Sequence, residues 1–288
     1  MTSLDYVHAA SIADAVALLN VPTLRCRPIA GGTDLVVAMR QRGPWFDRLV
    51  DVAAIPELCE IEETPAEIRI GAAVTFARAA ASPLLREVAP LLVQACLSVG
   101  SPQIRNAGTL GGNVINAAPC ADSLPPLVAL DATAHLAGPE GERTLPVSQL
   151  AVSPHHATLR PGELLTHFTF ARMPQGTRSA FIKLGRRNAQ SISRLSVAAA
   201  GRIDGAGAVD FVRLAPGAAL PHTDRMLQVE AMLHGNTPTP NLFRAAGELA
   251  ARLMIDITGR RWSTEYKEIA IQGLVEQALA AVFGADPS

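Results

Sequence analysis

Aromatic residues are scarce in this 288-residue chain, at 4%: two Trp, two Tyr and eight Phe. Recognition by stacked rings is therefore not expected, and an apolar content of 49% must pack largely through Ala and branched aliphatics. Cysteine is sparse as well. Cys26, Cys59, Cys96 and Cys120 stand far apart, with no close pair of the kind that disulfide frameworks, zinc sites and iron–sulfur sites use. Reduced thiols in a cytoplasmic protein are the expectation. An excess of one charge is also missing, since 25 Lys and Arg face 26 Asp and Glu without a long run of either. Nucleic-acid binding needs a positive surplus and is not expected. No apolar run approaches membrane-spanning length, and no basic stretch precedes an apolar one at the N-terminus, so neither a membrane span nor a secretory signal is expected.

What is present suits two domains of ordinary size. Ser11-Ile12-Ala13-Asp14 resembles an acidic capping box ahead of a helical pattern that stops at Asn20 and Pro22. A short strand over 27–29 runs into Ala30-Gly31-Gly32-Thr33-Asp34, then a helical pattern ends at Gly43-Pro44, and 49–52 reads as a buried strand. The alternation of 67–70 predicts a half-buried strand, and the spacing over 83–98 predicts one helix. Residues 131–145 read as a hairpin and 164–170 as a strand. Arg172-Met173-Pro174-Gln175-Gly176 punctuates the chain and divides it into 1–174 and 175–288. Beyond it, strands over 180–184, 197–203 and 209–214 precede helices over 225–233, 240–255 and 264–283.

Two glycine turns carry the functional argument. A diphosphate leaving water must be matched by donors, and main-chain N–H groups at a helix start provide them without any lysine. The residues touching it must be small, because a Cβ atom would hold the phosphates off. Gly31-Gly32-Thr33 lies between a strand and a helix, and Gly108-Thr109-Leu110-Gly111-Gly112-Asn113 repeats the small/hydroxyl/polar grammar. A glycine pair before a helix is also an ordinary turn, and it is the occurrence of two such segments that favours a ligand role. Neither matches G-x-G-x-x-G, and no G-x-x-x-x-G-K-[ST] occurs, so Rossmann and P-loop sites are disfavoured.

Residues 30–35, 100–113 and Ala121-Asp122-Ser123 closely resemble the FAD-binding medium subunit of molybdenum hydroxylases, the family of xanthine, nicotinate and carbon monoxide dehydrogenases. Phe181-x-Lys183-x-x-x-Arg187 and Trp262-Ser263-x-x-Tyr266-Lys267 extend the likeness over nearly the whole chain. The resemblance implies an α+β architecture: a two-part FAD-binding domain of the vanillyl-alcohol-oxidase/PCMH type over 1–174, then a smaller domain of the CO dehydrogenase flavoprotein type over 175–288. It also implies site residues. Ile29, Ala30, Gly31, Gly32, Thr33 and Asp34 would form the first diphosphate loop, and Thr109, Gly111, Gly112 and Asn113 the second. Asp122 would contact the adenosine part and Lys183 the flavin side, Ile115 and Leu165 would make apolar contacts, and Val99 and Gly100 would line the cleft.

Plainer readings stand beside these. Asp34 can simply offset a helix dipole, Asp122 can form a turn, and Ile115 and Leu165 suit a core. Lys183, Arg186 and Arg187 can be a solvated basic face, Cys120 can be packing, and His155-His156 lacks a third ligand nearby. By resemblance, a large partner subunit carries the molybdenum–pterin cofactor, a small one carries two [2Fe–2S] clusters, and this chain's FAD passes electrons to an external acceptor. No general acid, base or nucleophile is expected here. Gly31-Gly32-Thr33-Asp34 with Ser101-Pro102-Gln103-Ile104-Arg105-Asn106 is nearer to purine and nicotinate dehydrogenases than to the carbon monoxide type, which points to an N-heteroaromatic substrate. A self-sufficient flavin oxidase or reductase, or a flavin-free scaffold, are the alternatives.

Overall fold

In a computed structural model that describes residues 4–187 and 190–284, the chain begins with a small parallel sheet. Its strands Asp5–His8, Arg48–Asp51 and Cys26–Ile29 lie in that spatial order. Parallel neighbours need crossovers, and the helices Ile12–Leu19 and Leu35–Arg42 provide them. Ser11 caps the first of these by accepting from the Asp14 N–H, as the capping pattern predicts. The strand Asp5–His8 escapes sequence reading because most of its side chains are exposed and it shows no buried alternation.

A five-stranded antiparallel sheet follows, in the order Ile61–Glu63, Ile68–Gly71, Leu164–Phe170, Thr133–Gly138, Gly141–Pro146. The Gly138–Gly141 hairpin closes with Gly141 at φ +107°, a conformation that suits glycine. Leu164–Phe170 is central, and Phe168 on it is fully buried.

The single helix expected over 83–98 is two helices, Pro83–Val88 and Pro90–Ser98. Pro90 has no N–H to donate, and its ring forces Ala89 out of helical geometry to φ −145°, ψ 57°. The helix expected from 225 begins at Leu227, because Arg225 is drawn into ion pairs with Asp131 and Glu230.

The C-terminal part is a three-stranded antiparallel sheet of Arg178–Leu184, Leu195–Ile203 and Val209–Gly217, covered by the helices Pro240–Thr258 and Thr264–Phe283. This sheet is buried on both faces. Ala180, Val197, Ala199 and Leu214 pack under the two helices, whereas Phe181, Ala198 and Ala215 join the main core of the first part. Side chains alternate along a strand, so Lys183 shares the Phe181 face and points toward the first part. Gly201 is required where the sheet meets the helix: a Cβ there would sit 2.2 Å from the Phe283 ring.

Candidate flavin site at a glycine turn and an inter-domain cleft

The strand Cys26–Ile29 delivers the chain into a turn over 30–34 and then the Leu35–Arg42 helix. Gly32 has φ +66°, which an L side chain adopts at a cost. Gly31 is required for a different reason. A Cβ atom on it would lie 1.7 Å from the Ala107 carbonyl oxygen and 3.0 Å from the Gly108 nitrogen. The two glycine segments are thus pressed together, backbone on backbone.

Among the described residues, the N–H groups of Gly31, Gly32, Thr33 and Asp34 have no hydrogen-bond acceptor, and neither does the Thr33 hydroxyl. The Gly32 carbonyl is engaged by the Val36 N–H at 2.9 Å, which fixes the turn against the helix. Consecutive free donors at a helix start favour an anion through both their hydrogens and the helix dipole. Asp34 occupies the cap position without a side-chain cap bond. Crowding by neighbouring atoms raises its carboxyl pKa, with His155 opposing.

The second segment differs from expectation. Thr109 caps the helix Leu110–Asn116, its hydroxyl accepting from the Gly112 N–H at 3.1 Å. The Leu110 and Gly111 N–H groups donate to the Val74 and Ala72 carbonyls, and the Asn113 N–H donates to the Thr109 carbonyl. The main-chain donors expected to serve a diphosphate here are therefore engaged within the protein. Gly111 is small because Ala72 packs on it, with a Cβ placed 2.6 Å from that side chain. What this segment leaves open is the face of Gly112 and the Asn113 amide. Asn113 Oδ1 accepts from the Ser123 hydroxyl at 2.6 Å and the Ser123 N–H, which leaves its NH2 group free to donate.

Asn113 faces a cleft of about 320 Å3 that also exposes Val99, Gly100, Asp122 and Lys183. Five of the expected residues are brought together there. Ser101, Ile104 and Arg187, which lie in the motifs that carry the family resemblance, line it too, as do Cys120 and residues 190–192, the last three without any sequence signal. Gly100, at φ +45°, turns the chain from the Pro90–Ser98 helix into Pro102–Ala107. Ile115 packs against the main core and Leu165 is buried within it; neither lines the cleft. Ile29 is buried against Phe46 and Leu49, and Ala30 packs on a separate small cluster.

The resemblance placed Asp122 and Lys183 at different parts of the cofactor, yet here they touch. Lys183 Nζ donates to Asp122 Oδ2 at 2.6 Å and to the Ser98 carbonyl at 3.0 Å, with the two side chains 13% and 7% exposed. The Ser193 hydroxyl donates to the other carboxylate oxygen. Burial raises the Asp122 pKa, while the Lys183 ammonium and the Ser193 hydroxyl pull it down. Burial and the Asp122 charge push the Cys96 thiol up to about 12 and raise that of Cys120 as well. The main-chain N–H of His155 donates to the Ala117 carbonyl, and no group of three His, Cys, Asp or Glu among the described residues could hold a metal ion.

A free-donor turn that a single Cβ would separate from its support fits a diphosphate, and the Pro102–Ala107 helix links it to the cleft, its end abutting Gly31 and its Ile104 lining the cleft. Fold and site together define a two-domain flavoprotein. Residues 2–172 match the model of the FAD binding domain in molybdopterin dehydrogenase, and residues 179–282 that of the CO dehydrogenase flavoprotein C-terminal domain. The chain is 31% identical over 285 residues to the putative xanthine dehydrogenase FAD-binding subunit of Escherichia coli, covering 98% of this chain and 96% of that one. It is 36% identical over 185 residues to the carbon monoxide dehydrogenase medium chain of Afipia carboxidovorans, 64% of either chain. The carbon monoxide dehydrogenase structure from Hydrogenophaga pseudoflava superposes with a TM-score of 0.89 at 28% identity, over 97% of this chain and 96% of that one. The chain belongs to the FAD-binding medium subunits of the molybdenum hydroxylase family, and is an oxidoreductase subunit.

Proposed function

We propose that this chain takes electrons from [2Fe–2S] clusters on a small partner subunit and delivers them to an external acceptor, within a complex whose large subunit carries the molybdenum–pterin cofactor. The observation that carries the reading is the run of free N–H donors from Gly31 to Asp34, in a turn pressed on residues 107 and 108. These donors and the Thr33 hydroxyl hold the diphosphate, and the Asn113 amide and the Gly112 face border it. Bound FAD supplies the exchange between one-electron carriers and a two-electron acceptor. Lys183 and Asp122 form a buried polar wall of the cleft, and Val99 and Ile104 exclude water from its apolar side. No general acid, base or nucleophile is proposed for this chain.

An N-heteroaromatic substrate is proposed for the complex. The motif at 31–34 and 101–106 supports it, as do relatives named nicotinate dehydrogenase FAD-subunit (Eubacterium barkeri) and nicotine 6-hydroxylase medium subunit (Paenarthrobacter nicotinovorans). The separated cysteines support a cytoplasmic setting, and no helix among the described residues is long and apolar enough to cross a membrane. The experiment is to purify the chain with and without its partner subunits. Non-covalent FAD in both samples, with turnover of purine- or nicotinate-like compounds only by the complex, is the expected result. Substrate turnover by this chain alone, or a colourless chain that takes up no FAD, would overturn the reading.

A further inference from the structure

We propose that Asp131, held by Arg213 and Arg225, is a positioning residue for the flavin cleft, acting through the buried helix that carries Asp122 at its other end. The proposal rests on the flavin reading above and deepens it by naming a residue outside the cleft that places its polar wall.

Every residue from 121 to 130 is buried, and the stretch runs as one bar between the two parts of the chain. Its middle is the six-residue helix Leu124–Ala129, which spans roughly 9 Å. Pro125 and Pro126 fix two of its φ angles. Leu127 and Val128 pack in the same core as Ala198 and Ala215 of the second part. The approach is close enough to exclude a side chain: a Cβ on Gly217 would lie 2.6 Å from the Pro125 ring. Past the helix, the Leu130, Asp131 and Ala132 N–H groups donate to the Pro126, Val128 and Leu127 carbonyls at 2.9, 3.0 and 2.9 Å. A close-packed bar bonded in this way moves as a unit, since its neighbours leave no space for it to bend.

Cations of the second part clamp both ends of the bar. At the cleft end Asp122 meets Lys183, and the Ser123 hydroxyl holds the Asn113 amide oxygen at 2.6 Å. At the far end Asp131, with φ +52°, accepts from Arg225 Nη1 at 2.8 and 2.9 Å and from Arg213 Nη2 at 2.7 Å. Arg213 Nη1 also reaches the Ala129 carbonyl, at 3.2 Å. The Arg225 guanidinium is itself fixed. It binds the buried Glu230 carboxylate through Nε and Nη2, and Glu230 accepts from the Leu214 N–H at 2.8 Å. A planar fork held on one edge by Glu230 presents its other edge to Asp131 in one orientation. Asp131 belongs to neither large core, and its side chain is 46% exposed. One clamp would leave the bar free to pivot. Two set both ends, so Asp131 decides where Asp122 and Asn113 stand relative to Lys183.

The test titrates FAD into the full chain, freed of flavin, below the thermal midpoint of each variant. Flavin fluorescence gives the affinity, and visible circular dichroism reads the setting of the bound flavin. Asp131→Asn keeps a residue that tolerates positive φ while removing the charge. FAD affinity should fall about threefold to tenfold, and the dichroism of the flavin band should change. Arg213→Gln loosens the same clamp from the other side and should act in the same direction. Phe243→Leu, in the second core, controls for lost stability. It should lower the thermal midpoint while affinity and dichroism stay at wild-type values. A double-mutant cycle locates the route. In a Lys183→Met background the Asp131→Asn factor should shrink toward one, because the clamp it serves is already open. Wild-type affinity and dichroism in both Asp131→Asn and Arg213→Gln would overturn the proposal, as would an undiminished factor in the Lys183→Met background. An equal loss of affinity in Phe243→Leu would reduce Asp131 to general stability and overturn it too. A wild-type chain that takes up no FAD is a distinct outcome, which removes the functional reading and this proposal with it.

Discussion

Lys183 and Asp122 meet across the boundary between the two parts of the chain, with Nζ 2.6 Å from Oδ2 and both side chains largely out of water. The pair has a definite cause. Strand alternation turns Lys183 toward the first domain, and Asp122 lies in the bend between the Leu110–Asn116 and Leu124–Ala129 helices. Removing one partner strands a charge. Lys183→Met is expected to destabilise the protein by roughly 3 kcal/mol, read by urea unfolding. The isolated Asp122 carboxyl then gains protons more readily, its folded pKa rising further above the unfolded value. A raised carboxyl contributes stability that is lost as pH rises, so the variant should lose more at pH 8 than at pH 5. Adding Asp122→Asn should restore part of the loss; a variant as stable as wild type at both pH values would contradict the role of the pair.

Gly31→Ala tests the contact between the two glycine segments. The new methyl would meet a main-chain carbonyl at 1.7 Å, and no rotamer relieves a backbone clash. FAD affinity should fall by more than about tenfold, measured by flavin fluorescence on titration. Gly32→Val should also lose flavin, for a different reason than lost space alone. Its φ of +66° strains any β-branched residue, and its Cβ would press on Val36 and Ile29 at 3.2 and 3.3 Å. Full flavin occupancy in both variants would remove the first turn from the site.

Gly273→Ala is the converse case. The position lies inside the Thr264–Phe283 helix, and nothing stands within 4 Å of the added Cβ. Alanine restricts the unfolded chain and favours helix, so stability should rise by about 0.5–1 kcal/mol without any change in flavin content. A lower thermal midpoint would show that the helix tolerates less than its open surroundings indicate.

His135 and His167 stack on the five-stranded sheet with ring centres 4.1 Å apart. Burial, then the neighbouring His135, then Arg69 lower the His167 pKa to about 4 from an ordinary 6.5. Burial lowers that of His135 as well. A base whose folded pKa is depressed contributes stability that is present above pH 6.5 and lost as pH falls toward 4. The thermal midpoint should therefore drop across that window, and His167→Gln should flatten the drop. An equally steep decline in His167→Gln would place the acid sensitivity elsewhere.

Much of the architecture is legible in the sequence because it is local. The capped Ile12–Leu19 helix, the hairpin around Gly138 and Gly141, and the apolar strands of the second part each declare themselves within a few residues. The break at Pro90 was legible too, but a helical apolar spacing that continues through it outweighs one proline. The exposed strand Asp5–His8 carries no local signal, because its pairing with Arg48–Asp51 exists only in the fold.

The candidate site divides along the same line. The two glycine segments by themselves mark a chain suited to hold an anionic cofactor. Tertiary structure decides which amides remain available. It leaves those of Gly31 to Asp34 free while joining those of Leu110 and Gly111 to Val74 and Ala72, and it sets Lys183 on Asp122. Residue type states what a group can bond. Only the three-dimensional neighbours settle whether another part of the protein has bonded it first.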